Sequence, residues 1–381
     1  MNAAFQGVRV LDLTRLLPGA IASMMLADLG AEVIKIEDPQ AGDYARRTPP
    51  FINGQGAFFM ASNRNKHSVV IDLKQTDGQA VLHRLAESAD VVMEGFRPGV
   101  TARLRADYAT LSALNPRLIY ASLSGWGADG PYAEASGHDL NYVALSGLLG
   151  GMAQAQPLGG QIADVGGAYL AVMGISAALF QRERTGQGAH LDIALFEASM
   201  PFAMYQWVEG VTAGLKGGAG SLTGGMAFYQ VYACADGEKL AFAPIEPKFW
   251  ANFCRAVERP EWIPLHTDPA QQDVLKSKIG ALFATRSAED WMNLLGPADC
   301  CVTRITPTEK LSDDPQVQAR GMARIEADGV PVMRSPLRLG QTPPYEPAPQ
   351  QGQHTRTILQ MIGYSLEELE DLLARGIVGN A

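Results

Sequence analysis

Over the first 125 positions, apolar residues fall into short runs set apart by longer mixed stretches. VRVLDL (8–13), EVIKIE (32–37), SVVIDL (68–73), DVVMEG (90–95) and RLIYASLS (117–124) are rich in β-branched residues and predict strands. Helices are predicted at 19–31, 76–88 and 99–115. Short apolar runs alternating with helices predict a parallel sheet covered on both faces. In such a sheet functional loops gather at the carboxyl ends of the strands. Longer helices are predicted at 164–184 and 193–209. The apolar run 165–180 falls short of the roughly 20 residues a bilayer span needs and is expected to be a buried core helix.

Beyond residue 209 the pattern changes. Positions 210–225 are Gly-rich and predict a flexible linker. FYQVYACADGEKLAFAPI then reads as a hairpin turning at Asp236-Gly237. Helices are expected near 247–257, 269–284 and 287–295, and a Pro-rich connector spans 343–349. The last helix starts at Ser365, with Glu368 completing a capping box. The expected organisation is an α/β body interrupted by an insertion. Residues 1–209 and 351–381 form the large domain, 210–225 a linker, 226–325 a small α+β domain, and 326–350 a return linker.

Composition narrows the possibilities. Apolar residues are 47% and charged residues 19%, which is globular. A net charge of −9 argues against nucleic acid or an anionic membrane as partner. The N-terminus has neither a basic region nor a long apolar one, so no secretory signal is expected and a cytoplasmic location is. Cys234, Cys254, Cys300 and Cys301 form no CxxC pair, which argues against a zinc knot or a disulfide framework. No P-loop occurs, and no GxGxxG opens a helix after the first strand.

Several residues could carry chemistry. Lys35, Arg46, Arg47, Arg64, Lys66, Arg97 and Arg103 stand near predicted strand ends. They could hold phosphates, or be ordinary surface charge. Of six histidines only His138 adjoins an aspartate, Asp139. Asp164 sits where the apolar helix begins, as a plain N-cap or a reactive carboxylate at a Gly turn that a ligand can approach. Glu246 follows a strand and precedes Pro247.

At these residues the sequence resembles a known family. GVRVLDLTRLLPGAIASMMLADLGAEVIKIEDPQAGD, NRNKHSVVIDLK, GFRPGV, ADVGGAYLAVMGISAALFQRERTGQG and DPQVQARGM resemble the family III CoA-transferases. GHDLNYVALSG and IEP resemble the α-methylacyl-CoA racemase branch. The resemblance implies a Rossmann-like large domain, a small domain and an interlocked homodimer. It implies an acyl-CoA substrate, with no cofactor required beyond the coenzyme A of that substrate and no metal. It makes His138 and Asp164 the acid/base pair, with Glu246 and Asp139 orienting and polarising them. It places Arg97 and Lys66 on the CoA phosphates, with Arg103 and Arg46 beside them. One departure stands out: where many relatives carry an arginine after the VIKIE strand, this chain has Asp38. Either Arg46 or Arg47 takes over, or CoA binds more weakly.

The chemistry accounts for these residue types. Inverting a centre α to a thioester takes a proton from one face and returns one to the other, so two groups are needed. Ordinary values near 6.5 for His and 3.9 for Asp can be tuned into such a pair. The enolate needs preorganised donors, and backbone N–H groups at Asp164-Val165-Gly166 are the expected ones. Glu246 is expected to fix the tautomer of His138. The alternative is CoA transfer, in which Asp164 attacks the acyl-CoA to form a mixed anhydride. A noncatalytic CoA-binding subunit is the remaining reading.

Overall fold

The structure, a computed structural model, describes residues 3–337 and 339–380. Among them two compact units are distinguished. The first comprises Met1–Tyr142, Leu158–Ser199 and Pro315–Ala381, and the second Val143–Pro157 and Met200–Asp314. The Gly-rich stretch 210–225 lies within the second.

A seven-stranded sheet organises the first unit. Its order is Val378–Gly379, Lys66–Ile71, Glu32–Glu37, Arg9–Asp12, Val91–Glu94, Ile119–Ser124, Ala189–Ala194. All pairings are parallel except the one made by Val378–Gly379. Side chains alternate across it, as the two-residue period requires. Val10, Val33 and Val91 join one core, with the helices Leu17–Asp28 and Ile162–Thr185. Leu11, Ile34 and Val92 join the other, with Thr76–Ala86, Thr355–Met361 and Leu366–Ala374.

Three elements differ from the sequence expectation. Residues 189–194 form an edge strand, so the helix expected from 193 starts instead at Leu195–Ser199. Their alternation of partly exposed and buried positions is short, and helical residues flank it. The helix expected at 99–115 is two, Val100–Arg103 and Tyr108–Leu114, broken where Arg105 adopts a φ of 51°. The expected buried core helix runs Ile162–Thr185, 24 residues, and is buried on one face only. Ala168, Ala171 and Ile175 pack inward, while Tyr169, Met173 and Phe180 are exposed. By length and composition this helix would suffice to span a bilayer.

The second unit holds a three-stranded antiparallel sheet, ordered Val302–Arg304, Lys239–Phe242, Gln230–Ala233. The helices Pro247–Ala256, Gln272–Phe283 and Ala288–Leu295 close a core rich in aromatic residues, with Trp250, Phe253, Phe283 and Trp291 at its centre. In the first unit, the terminal helix is capped as its sequence indicates: the Ser365 hydroxyl accepts the Glu368 N–H, and the Glu368 carboxylate accepts the Ser365 N–H.

Candidate active site

From Arg9–Asp12 the chain builds one side of the sheet through Glu32–Glu37 and Lys66–Ile71, then returns to build the other. At such a reversal, loops leave the carboxyl ends in opposite directions and open a crevice. Here the crevice is a cavity of about 750 Å³, all within the first unit. Its walls come from the loop after the first strand (14–19), from 95–98 after Val91–Glu94, from 123–126 after Ile119–Ser124, and from 133–138.

His138, Asp164 and Arg97 line this cavity together. Asp139 stands beside them and resolves how the long helix begins. The helix starts at Ile162, and Gln161 provides no side-chain cap. Asp164 is therefore not the N-cap but lies in the first turn. The capping is done from 24 residues away: Asp139 Oδ1 accepts the N–H groups of Ala163 at 2.7 Å and Asp164 at 3.1 Å. Two orphan donors of the helix start are satisfied in this way. The sequence hides this because the acceptor comes from another segment.

The same bonds overturn the expected enolate donors. The Asp164 N–H is spent on Asp139 and the Val165 N–H on the Gln161 carbonyl. The Gly turn also has a different purpose. A Cβ on Gly167 would come within 2.2 Å of Leu195 Cδ2, so this glycine lets the helix close on the neighbouring segment.

Electrostatically the site is asymmetric. Burial, then the nearby Asp139 carboxylate, push Asp164 up to about 6, against the opposing pull of His138. The Asp164 carboxylate accepts no hydrogen bond among the described residues, so only the pull of His138 opposes burial. His138 is exposed; its backbone N–H donates to Asn141 Oδ1 at 3.0 Å, and its carbonyl accepts from the Asn141 N–H. Behind it Tyr142 donates to the Gly137 carbonyl at 2.7 Å and packs edge-on against Trp126. A Trp126 Nε1–H buried in this wall has no partner among the described residues.

Two expected phosphate ligands lie elsewhere. The Lys66 ammonium is wholly buried and shares its three protons among Ser23, Asn63, the Ala20 carbonyl and Asp12. Burial brings it down to about 8. Asp12 is also bonded by Ser23 and by both the N–H and hydroxyl of Thr14, while Lys35 joins the Thr14 carbonyl to Asp43. Arg46 is buried on Glu37 through two bonds, and its guanidinium lies 3.8 Å from the centre of the Phe59 ring. Unpaired buried charge is costly, so these cations serve internal carboxylates rather than a ligand. Arg103 is exposed on a neighbouring cavity. Glu246 belongs to the second unit, exposed at the start of Pro247–Ala256 with no cap bond from its side chain.

Sequence reading passed over Arg15, Tyr44, Phe96 and Trp126, all in the cavity wall. For Arg15 a signal existed, because it follows the first strand at the sheet's reversal. Tyr44 and Phe96 carry no such mark.

Comparison with known proteins identifies the family. The profile of CoA-transferase family III matches residues 5–355. The chain is 34% identical to alpha-methylacyl-CoA racemase of Mus musculus, over 98% of this chain and 97% of that one. It is equally, 34%, identical to acetyl-CoA:oxalate CoA-transferase of Acetobacter aceti, over 90% and 91%. A crystal structure of a CAIB/BAIF family protein from Brucella suis superposes with a TM-score of 0.80 at 29% identity, covering 95% of this chain and all of that one. Racemases and CoA-transferases, which act on acyl-CoA substrates, thus stand at similar distances, and the chain belongs to CoA-transferase family III.

Proposed function

We propose that this protein is a 2-methylacyl-CoA racemase, inverting the α-carbon by 1,1-proton transfer through an enolate. The observation that carries the proposal is the pair His138 and Asp164 in one cavity, with the carboxyl raised to about 6. A carboxyl raised this far keeps a usable protonated fraction near neutrality, as a general acid needs. In one direction neutral His138 takes the α-proton, electrons move onto the thioester oxygen, and protonated Asp164 delivers a proton to the opposite face. In the other direction ionised Asp164 abstracts and the His138 imidazolium donates. Both starting states hold one proton between the pair. Asp139 orients Asp164 through its N–H and supplies negative charge beside it. The working unit is a cytoplasmic homodimer without other cofactors.

A second reading has its own support: identity to the Acetobacter transferase equals that to the mouse racemase. There Asp164 attacks the thioester carbonyl and releases CoA as thiolate, leaving an aspartyl–acyl anhydride. The experiment is incubation with (S)-2-methylacyl-CoA in D2O without any second acid. Loss of the α-proton signal with appearance of the (R) epimer supports the racemase. No exchange, followed by CoA transfer once carboxylic acids are added, overturns it.

A further inference from the structure

His138 stands directly before the short helix Asp139–Leu145, in the cap position: its carbonyl accepts the Asn141 N–H at 2.8 Å and the Tyr142 N–H at 3.3 Å. A cap residue ordinarily closes the helix start with its own side chain. His138 does not. Its ring lines the cavity, and among the described residues no hydrogen bond reaches that ring. The reciprocal bond comes instead from Asn141, three positions on, whose Oδ1 accepts the His138 N–H at 3.0 Å. This is one half of a capping box, with the side chain of the cap left free.

We propose that Asn141 is the positioning residue of His138. The inference rests on the racemase reading and deepens it. The peptide unit between Gly137 and His138 is planar and is held at both ends. Its carbonyl accepts from the Tyr142 hydroxyl at 2.7 Å, and its N–H donates to Asn141. That plane sets the direction in which the His138 side chain leaves the backbone. Tyr142 is itself fixed, buried and edge-on to Trp126. A Cβ on Gly137 would meet the Tyr142 ring at 2.8 Å and the Trp126 ring at 3.1 Å, so a glycine here lets both rings close on the chain.

Asp164 does not share this dependence. It is carried by the helix Ile162–Thr185, and its N–H is bonded to Asp139. Removing the Asn141 carboxamide therefore loosens one member of the acid/base pair and leaves the other in place. The proton step suffers on one face of the α-carbon only. Asn141 is exposed and outside the core, so the fold tolerates its replacement.

The test is deuterium incorporation at the α-carbon of (R)- and of (S)-2-methylacyl-CoA in D2O, followed by mass spectrometry at early times. Wild type, His138→Ala, Asn141→Ala and Asn141→Asp are compared. The enantiomer that His138→Ala slows more is the one whose proton His138 takes. Asn141→Ala is expected to slow that same enantiomer about tenfold or more at unchanged KM and to leave the other nearly unaffected, since a misplacement of about 1 Å can cost about 10²-fold. Asn141→Asp keeps the acceptor and is expected to restore most of the rate. Equal slowing of both enantiomers overturns the proposal and makes Asn141 a support of the fold alone. Unchanged rates in Asn141→Ala, or a loss that Asn141→Asp does not restore, overturn it as well. In each of these cases the racemase reading stands. Wild type that incorporates deuterium into neither enantiomer overturns the racemase reading itself, and the proposal with it.

Discussion

Replacing Asp164 by Asn should make the protein more stable and inactive together. A carboxyl whose folded value lies above its unfolded value favours folding while protonated. That contribution is intact below about 3.8 and is lost as pH rises through about 6. The difference, about 2.2 pKa units at 1.36 kcal/mol each, makes ionised Asp164 cost about 3 kcal/mol at pH 7.5. At pH 4 the cost is only about 0.6 kcal/mol, because the group is mostly protonated in the folded state. Asparagine matches the shape without the charge, and no hydrogen bond to the carboxylate is given up among the described residues. Urea unfolding of wild type and Asp164→Asn at both pH values measures the effect, with α-proton exchange assayed in parallel. A gain near 3 kcal/mol at pH 7.5 that shrinks at pH 4, with exchange lost, is expected. A gain independent of pH, or a variant less stable than wild type at pH 7.5, would refute the argument that burial and Asp139 load this carboxyl.

Four other outcomes follow from the same geometry. His138→Ala should slow α-proton exchange by about 10²–10⁴ with an unchanged melting temperature, since the side chain is exposed and outside the core. Lys66→Met leaves the buried Asp12 short of a partner and should cost about 3–5 kcal/mol in urea unfolding; a cost below about 1 kcal/mol would contradict the ion group's structural role. Leu16 adopts φ 62° and ψ −155°, a region suited to glycine. Leu16→Gly should therefore stabilise by about 1 kcal/mol, the relief of about 1–3 kcal/mol of strain less glycine's entropic cost, read as a raised melting temperature. Ser365→Ala removes the capping box and should lower stability by about 1 kcal/mol in the same assay.

Which of the expected site residues the structure brings together, and which it does not, has a common cause. His138, Asp139 and Asp164 were legible because each sits beside a local signal: a His-Asp pair, or a carboxylate at the start of an apolar helix. Their convergence on one cavity follows from sheet topology, and Asp139 as the cap of a helix 24 residues away is invisible to local pattern. Lys66 and Arg46 misled for the complementary reason. A cation after a strand reads alike whether it faces a ligand or a buried carboxylate, and the Asp12 partner of Lys66 is 54 residues away. Glu246 stays a matter of resemblance, because it lies in the other compact unit.

The chain's own pattern determined the α/β class, the five central parallel strands and the capped terminal helix. Each depends on contacts within a few residues or on a period of 2 or 3.6. Tertiary structure alone decided that Ala189–Ala194 is an edge strand, that the long helix hides one face only, and that Arg15 stands between two rings. It also decided which charges are spent inside and which are left for a ligand. Those outcomes turn on partners supplied from distant segments, and burial, which sets the energy of every charge here, is a property of the packed whole.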